Sequence, residues 1–313
     1  MELPVSILPT GSQVSIPVAV IHGRLDGPCV WISAAIHGDE LNGVPVVRRV
    51  LRRIDPKQFA GTLILVPVVN VFGLINESRY LPDRRDLNRS FPGSARGSLA
   101  SQLAHLFMTE VVHRCDFGLD LHSGSGGRTN LPQIRCDLDE PATRDAAMAF
   151  APPIIVHSSL RDGSLREAAR EHGVPVLLYE TGEAKRFDRV GIDLGCQGAL
   201  RVLHKLEMLR GEAPQAAKFP PVIARSTSWL RTRRGGFCEM RVELGRRVET
   251  GDTVAVVYDA LSRAETKIQS HIDGFVIGHR SEALVHKGDA IAHIAVPDSG
   301  SATAAQSALE PDR

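Results

Sequence analysis

The stretch "PCVWISAAIHGDELNGVPVVRRVLRRI", residues 28–54, joins an apolar run to an amphipathic one through a short polar segment. Residues 29–35 are almost continuously apolar, which predicts a buried strand. Residues 44–54 carry apolar side chains at helical spacing, which predicts a helix. His37 and Glu40 lie between the two elements, three residues apart, so that both could point at one metal ion. The stretch therefore predicts an α/β sheet with two candidate metal ligands at its edge, where ligands commonly bind.

Strand and helix patterns alternate over the first two thirds of the chain. We predict further strands at 62–70, 117–122, 153–158 and 174–180, and further helices at 99–114, 165–173 and 198–209. Such alternation is typical of an α/β fold, with a sheet covered by helices. We expect residues 1–210 to form one domain of this class.

The last third of the chain has a different pattern. Residues 211–224 contain several prolines and predict a linker. Residues 225–297 form short strand-like runs separated by glycine, with "VETGDTVA" and "VHKGDAIA" as similar half-motifs. This segment resembles the barrel-sandwich domains of biotinyl and lipoyl carriers, and we expect a small all-β domain. A disordered tail is expected over 298–313.

The composition excludes several classes of function. The 313 residues are 43% hydrophobic and carry a formal net charge of +1, and the basic residues are dispersed, so we expect no nucleic-acid partner. No segment approaches the ~18 apolar residues of a membrane span, so we expect no membrane association and a cytoplasmic location. Whether the protein is a homo-oligomer is left open.

A third metal ligand is expected from "FGLDLHSGSGG", in which His122 follows another apolar run and precedes a glycine-rich turn. Catalytic zinc sites use three nitrogen or oxygen donors from the protein and keep one position open. His122 falls on the same predicted sheet edge as His37 and Glu40. Together the three residues predict a zinc site better than the His37 and Glu40 spacing does alone.

Four motifs occur in a fixed order along the chain: "HGDE" at 37–40, "DRRDLNRSFPG" at 83–93, "DLHSG" at 120–124 and "YETGE" at 179–183. On these motifs the chain resembles the succinylglutamate desuccinylase and aspartoacylase family, which belongs to the zinc carboxypeptidase superfamily. The resemblance covers about residues 14–210. It implies a carboxypeptidase-like mixed sheet and a zinc hydrolase catalytic domain over 1–210. It also implies one Zn²⁺ per chain and a zinc-dependent deacylase that hydrolyses the amide bond of an N-acyl amino acid or similar small N-acylated amine by a metal-activated water.

The resemblance also implies roles for individual residues. His37, Glu40 and His122 would hold zinc. The general base would be Glu180, since the family pattern ExG selects it over its neighbour Glu183. A base here would take a proton from water and pass it to the leaving amine.

The arginine-rich motif contributes the substrate contacts that the resemblance implies. Asn88 and Arg89 would bind the substrate carboxylate, for which a guanidinium is well suited. Arg79 would lie near the scissile carbonyl oxygen. Asp86 would accept a hydrogen bond from the zinc ligand His37 and so fix its orientation.

Four other residues near these motifs stay unassigned. Arg84 and Arg85 match nothing in the family pattern, and a surface role is expected for them. The glycine-rich turn could bring Arg128 and Asn130 over the pocket, but the sequence does not decide whether they contact substrate.

Two alternatives to the deacylase remain open. A zinc carboxypeptidase acting on short peptides would use the same chemistry, and cleavage of peptides rather than N-acyl amino acids would identify it. The second alternative is a non-catalytic carrier or binding module. A carrier needs a modifiable lysine before its strand glycine, where this chain has Arg263, and Lys267 lies at the wrong position.

Overall fold

The computed structural model describes residues 1–210, 213–261 and 265–298. Within these residues the α-helices are α1 (Gly43–Leu51), α2 (Val71–Ile75), α3 (Leu99–Glu110), α4 (Pro141–Phe150), α5 (Leu165–Glu171) and α6 (Arg189–Lys205), and short 3₁₀ helices cover Pro56–Gln58, Leu87–Arg89 and Val112–Arg114. The strands are β1 (Glu2–Ile7), β2 (Gln13–Pro17), β3 (Ala19–His22), β4 (Leu25–Ala34), β5 (Ala60–Val66), β6 (Phe117–Gly124), β7 (Arg128–Cys136), β8 (Ile154–His157), β9 (Val176–Glu183), β10 (Val222–Arg231), β11 (Gly236–Met240), β12 (Arg247–Val248), β13 (Thr253–Tyr258), β14 (Thr266–Gln269), β15 (Gly274–Arg280), β16 (Leu284–Val285) and β17 (Ala290–Pro297).

A mixed sheet of eleven strands is the centre of the described structure, in the order β12-β15-β17-β10-β8-β7-β9-β6-β4-β5-β3. Its middle strands β5, β4, β6 and β9 run parallel, whereas β3 and β7 are antiparallel to their neighbours β5 and β9. The predicted mixed α/β fold is therefore confirmed. The parallel strands bring their carboxyl ends to one edge; His37 and Glu40 follow the end of β4, and His122 lies near the end of β6.

Helices pack on both faces of this sheet. One face buries apolar residues of α1, α4 and α6 against the strands, and the other buries those of α3 and α5. Consecutive side chains of β4 alternate between the two layers: Val30 and Ile32 belong to the first cluster and Trp31 to the second. A strand covered on both sides reads as a continuous apolar run, which explains the pattern at 29–35.

Most predicted elements are present, but α6 begins nine residues before the predicted start at 198. Asp188 caps the helix, because its carboxylate accepts a hydrogen bond from the backbone N–H of Gly191. Strand β7 and helix α4 were not predicted. Across the described residues, none of the helices combines the length and the apolar character that crossing a bilayer requires.

The strands predicted for 225–297 are divided between two sheets. Strands β14, β13, β11 and β16 form a separate four-stranded sheet, whereas β12, β15, β17 and β10 extend the central sheet. A separate barrel-sandwich arrangement is therefore not confirmed. The predicted division into domains at 210 and 225 remains a prediction, and β10 already begins at Val222, inside the segment expected to be a linker.

Strand β15 has a second contact with the central sheet. Gly278, His279 and Arg280 pair with Asn130, Thr129 and Arg128 of β7. Strand β7 also pairs with β8, β8 with β10, β10 with β17, and β17 with β15. These five strands therefore close into a ring. Apolar residues of β8, β10, β15 and β17 form a small buried cluster there.

Three sequence predictions fall outside the described residues in whole or in part. These are the first two positions of the predicted linker, residues 211–212, the carrier position Arg263, and the predicted disordered tail except for Asp298.

Candidate active site

His37, Glu40 and His122 converge at the carboxyl ends of β4 and β6. His37 and Glu40 lie in the loop after β4, and His122 lies within β6. The Glu40 carboxylate stands between the two rings, with Oε1 2.7 Å from His37 Nδ1 and Oε2 2.8 Å from His122 Nδ1. All three residues are buried, and one donor atom from each lies within 4.8 Å of the others.

The outer nitrogen of each imidazole contacts a second carboxylate. His37 Nε2 lies 3.1 Å from Asp86 Oδ1, the contact that the family resemblance implies. His122 Nε2 lies 2.7 Å from Asp120 Oδ2, a partner that the sequence analysis missed. The pattern Asp-x-His in a strand was the available signal, because residues two apart point to the same face. These contacts orient both rings so that the Nδ1 atoms face one point.

The charges of this group depend on one another. Burial alone would lower the pKa of His37, but Glu40 and Asp86 outweigh it and raise that pKa. Burial likewise opposes the charge on His122, yet Asp120 and Glu40 raise its pKa well above the usual range. Burial would raise the pKa of Glu40, but the two histidines hold it well below its ordinary value. Glu40 is therefore a carboxylate at neutral pH.

The residues fit a zinc ion. Two imidazole nitrogens and one carboxylate are the donor types of catalytic zinc sites, which leave a position open for water or substrate. The outer-nitrogen contacts to Asp86 and Asp120 are the supporting hydrogen bonds that zinc-bound histidines usually make. A second group of potential ligands, Asp137, Asp139 and His157, is less buried than this one.

Glu180 lies in β9 beside the candidate metal ligands, in register with His122 of β6. Its carboxylate lines the same cavity as His37, Glu40 and His122, and its Oε2 accepts a hydrogen bond of 2.9 Å from Asn130 Nδ2. The rival Glu183 does not line the cavity. Its Oε1 lies 3.2 Å from the Arg186 guanidinium at the surface. The geometry therefore favours Glu180 as the base.

Arg79 lies against the candidate metal ligands His37 and Glu40. Its Nε and Nη2 donate to Asp86 Oδ2 at 3.1 and 2.9 Å, and its Nη1 donates to Glu40 and Ser125. Burial would raise the pKa of Asp86, but His37 and Arg79 hold it far below its ordinary value. Arg79 is thereby held beside His37 and Glu40, with Nη1 3.2 Å from His37 Nδ1 and 3.3 Å from Glu40 Oε1.

The other residues of the arginine-rich motif divide into two groups. Asn88 and Arg89 line the cavity, and Asn88 is fixed because its Oδ1 accepts a 2.9 Å hydrogen bond from the backbone N–H of Leu165. Arg84 and Arg85 are exposed and line no part of the cavity. Their positions agree with the expected surface role.

The sequence analysis missed a second group of arginines in the cavity wall: Arg135, Arg161 and Arg166. Arg166 is 8% exposed and donates only to neutral acceptors, among them Ser158 Oγ at 3.1 Å. Burial first, and then Arg135 and Arg161, lower its pKa to about 10. In the described part of the chain none of the three forms an ion pair with a carboxylate. The available signal was an arginine on the buried face of α5, between Leu165 and Ala168.

The C-terminal strands form one wall of the cavity, whose volume is about 850 Å³. Trp229 of β10 and Arg280 of β15 line it together with Arg128, whose guanidinium lies 5.6 Å from the centre of the Trp229 ring. Arg128 and Asn130, left undecided by the sequence, both face the cavity. The His293 ring stacks on Trp229 at 4.1 Å and holds it in place.

The chain belongs to the succinylglutamate desuccinylase/aspartoacylase family, because the model of that family's catalytic domain matches residues 26–206, more than half of the chain. The resemblance inferred from the four motifs is thereby confirmed. The class is one of deacylases, which are hydrolases that cleave an amide bond.

Individual relatives cover nearly the whole chain. The N-alpha-acetyl-L-2,4-diaminobutyric acid deacetylase of Halomonas elongata is 28% identical over 308 residues, which span 94% of this chain and 90% of that protein. The crystal structure of a succinylglutamate desuccinylase/aspartoacylase from Rhodobacter sphaeroides superposes with a TM-score of 0.86, at 27% identity, over 95% of this chain and 94% of that chain. A product-bound structure of the ectoine utilization protein EutE (DoeB) from Ruegeria pomeroyi gives the same TM-score and coverage at 26% identity.

Proposed function

We propose that the protein is a zinc-dependent deacylase that hydrolyses the amide bond of a small N-acyl amino acid. The observation that carries this proposal is the convergence of three zinc-type donors, a carboxylate base candidate and an arginine cluster in one cavity. Family membership and the deacetylase relative support the reaction class.

His37, Glu40 and His122 would hold one zinc ion per chain. When bound, zinc polarises the scissile carbonyl and lowers the pKa of a coordinated water. Asp86 and Asp120 keep the two imidazoles oriented with Nδ1 inwards. The protein thus supplies a donor set whose two imidazoles are already oriented by hydrogen bonds.

Glu180 takes the proton of the attacking water and returns it to the leaving amine nitrogen. Its position beside His122, in the wall of the same cavity, supports this role. Arg79 donates a hydrogen bond to the carbonyl oxygen as negative charge develops on it. The two hydrogen bonds to Asp86 hold the guanidinium in place for this role.

The substrate is a small molecule with at least one carboxylate. Arg89 and Asn88 lie on the wall next to α5, and Arg166 adds a buried positive charge without an acidic partner in the described structure. A buried charge left unpaired is costly, so an anion bound here would replace missing interactions. Trp229 and Arg280 form one wall of the cavity, and we expect this wall to limit the length of the substrate and so to favour a small acylated amino acid over a peptide.

The test combines metal analysis of the purified protein with assays on N-acetyl, N-succinyl and N-formyl amino acids and on short peptides. The proposal expects about one zinc per chain and turnover of at least one N-acyl amino acid. Faster cleavage of peptides would favour the zinc carboxypeptidase. Absence of any amide hydrolysis by zinc-loaded protein would favour the carrier or binding module.

A further inference from the structure

We propose that Asn130 is a positioning residue for the base Glu180, and that the C-terminal strand β15 holds Asn130 in place through Gly278. The inference rests on the function of Glu180 proposed above. It makes the orientation of the base depend on a part of the chain that lies well outside the matched catalytic segment 26–206.

The contact between Asn130 and Glu180 fixes one carboxylate oxygen. Asn130 is 7% exposed, and its Nδ2 donates a 2.9 Å hydrogen bond to Glu180 Oε2. Among the residues that the structure describes, Oε1 of Glu180 has no hydrogen-bond partner. The terminal torsion angle of a glutamate side chain has a broad range of accessible values. A single hydrogen bond to Oε2 therefore decides how Oε1 faces the cavity.

An irregularity in the strand pairing makes this contact diagonal. Asn130 is in register with Gly182 of β9, whereas Gln133 is in register with Glu180, and the register shifts between the two pairs. The Asn130 side chain therefore reaches along β9 towards Glu180. Such irregularities commonly re-aim a side chain next to an active site.

Gly278 of β15 lies directly opposite Asn130 on the other side of β7. A Cβ atom at this position would lie 2.8 Å from Asn130 Oδ1 and 3.4 Å from the Thr129 carbonyl oxygen. The amide of Asn130 thus fills the space that a side chain at 278 would need. Glycine lets β15 approach closely enough to confine the amide, and a larger residue would displace it.

The test separates hydrogen bonding from packing by using Asn130→Asp, which keeps the shape of the side chain but replaces the donor by an acceptor. We expect kcat to fall by about 10- to 100-fold in Asn130→Asp and in Asn130→Ala, with an unchanged KM and an unchanged zinc content. A purely structural role predicts a loss in Asn130→Ala alone, and wild-type turnover in Asn130→Asp would overturn the proposal.

Chemical unfolding of the metal-free protein gives a readout that does not depend on turnover. Asn130→Asp places two carboxylates together and should lower the denaturant midpoint. In the Glu180→Gln background the loss should shrink, because the Gln amide can donate to the new carboxylate. Equal losses in both backgrounds would show that the two side chains do not interact and would overturn the proposal.

Gly278→Ala tests the contribution of β15 without changing either partner. We expect kcat to fall, as in the Asn130 variants, again with an unchanged KM and an unchanged zinc content. Gly235→Ala is the matched control in the same segment, since its added Cβ would meet no heavy atom closer than 3.2 Å. Equal effects of the two substitutions would overturn the role of Gly278. Normal turnover of Glu180→Gln would instead refute the base assignment, so failure of the proposed function is distinguishable from failure of this inference.

Discussion

Replacing the buried cation Arg166 by methionine should make the protein more stable and a poorer enzyme. Arg166 donates to Ser158 Oγ and to the backbone carbonyls of Ser159 and Arg135, all of them neutral. Burial and the neighbouring arginines lower its pKa from the ordinary arginine value to about 10. At about 1.36 kcal/mol per pKa unit, this depression corresponds to ~3 kcal/mol of unfavourable free energy for the charged side chain in the fold.

Removing the charge of Arg166 avoids this cost, but it also removes the three hydrogen bonds of the side chain, which offsets part of the stabilisation. The three bonds together offset ~1–2 kcal/mol, because two of them are long, at 3.3 and 3.4 Å, and the acceptors can meet water in the cavity. We therefore expect a net stabilisation of Arg166→Met by ~1–2 kcal/mol, which corresponds to a rise of Tm by about 1.5–3 °C for a chain of 313 residues. The same variant should raise the KM of a carboxylate substrate at least tenfold.

The assay is thermal unfolding at fixed zinc content, with and without succinate as a carboxylate probe. Succinate should raise the Tm of the wild-type protein more than that of Arg166→Met. The wild-type protein binds succinate in its folded state through the Arg166 charge, which the variant lacks. Arg170→Met is the control on the same helix, since Arg170 is 61% exposed and pairs with Asp137 at 3.5 Å. A lower Tm in Arg166→Met, or equal changes in both variants, would refute the reasoning.

Five further substitutions test the proposed site. His37→Ala and His122→Ala should lose both zinc and activity, measured by metal analysis and turnover, because two remaining protein donors are too few for a tight site; full zinc occupancy would contradict this. Glu180→Gln should keep its zinc while kcat falls by roughly 10²–10⁴, because it cannot accept a proton. Arg89→Ala should raise KM for carboxylate substrates by an amount equivalent to about 1.5–3 kcal/mol. Arg79→Ala should lower kcat instead. An effect on KM alone would show that Arg79 does not stabilise the charge on the carbonyl oxygen.

The elements around the ligands were predictable because their signals are local. The apolar run at 29–35 and the amphipathic run at 44–54 are each complete within one segment, and the ligand loop lies between them. His122 and Glu180 were found because both lie in or next to apolar strands and within recognisable motifs. Local patterns and the family motifs were together sufficient to predict that His37, Glu40, His122 and Glu180 lie at one sheet edge.

The start of α6 was missed because its packing, and not its composition, stabilises it. Gly195 and Gly198 are poor helix formers in isolation. In the fold, a Cβ at Gly195 would lie 2.8 Å from the Tyr179 ring, and one at Gly198 would lie 2.4 Å from the Phe150 ring. The glycines therefore let α6 approach β9 and α4 closely. That requirement arises only when three distant segments meet.

The arginine cluster and the C-terminal wall were missed for a related reason. Arg135, Arg161 and Arg166 come from a strand, a loop and a helix, and nothing in their spacing indicates that they share a cavity. The repeated glycine motifs of 225–297 suggested strands that pair with one another. Pairing of β10 with β8 and of β15 with β7 depends on contacts across 68 and 148 residues, which no local pattern encodes.

The five-strand ring has a consequence for the order in which a newly synthesised chain can fold. When residues 1–210 have left the ribosome, β7 and β8 still lack their partners β15 and β10, and open strand edges tend to pair with other chains. The ring can close only after β17 has been made, close to residue 297. Folding of the amino-terminal two thirds alone would leave Ile154 and Val156 uncovered, so a nascent chain should be most prone to aggregation during synthesis of its last hundred residues.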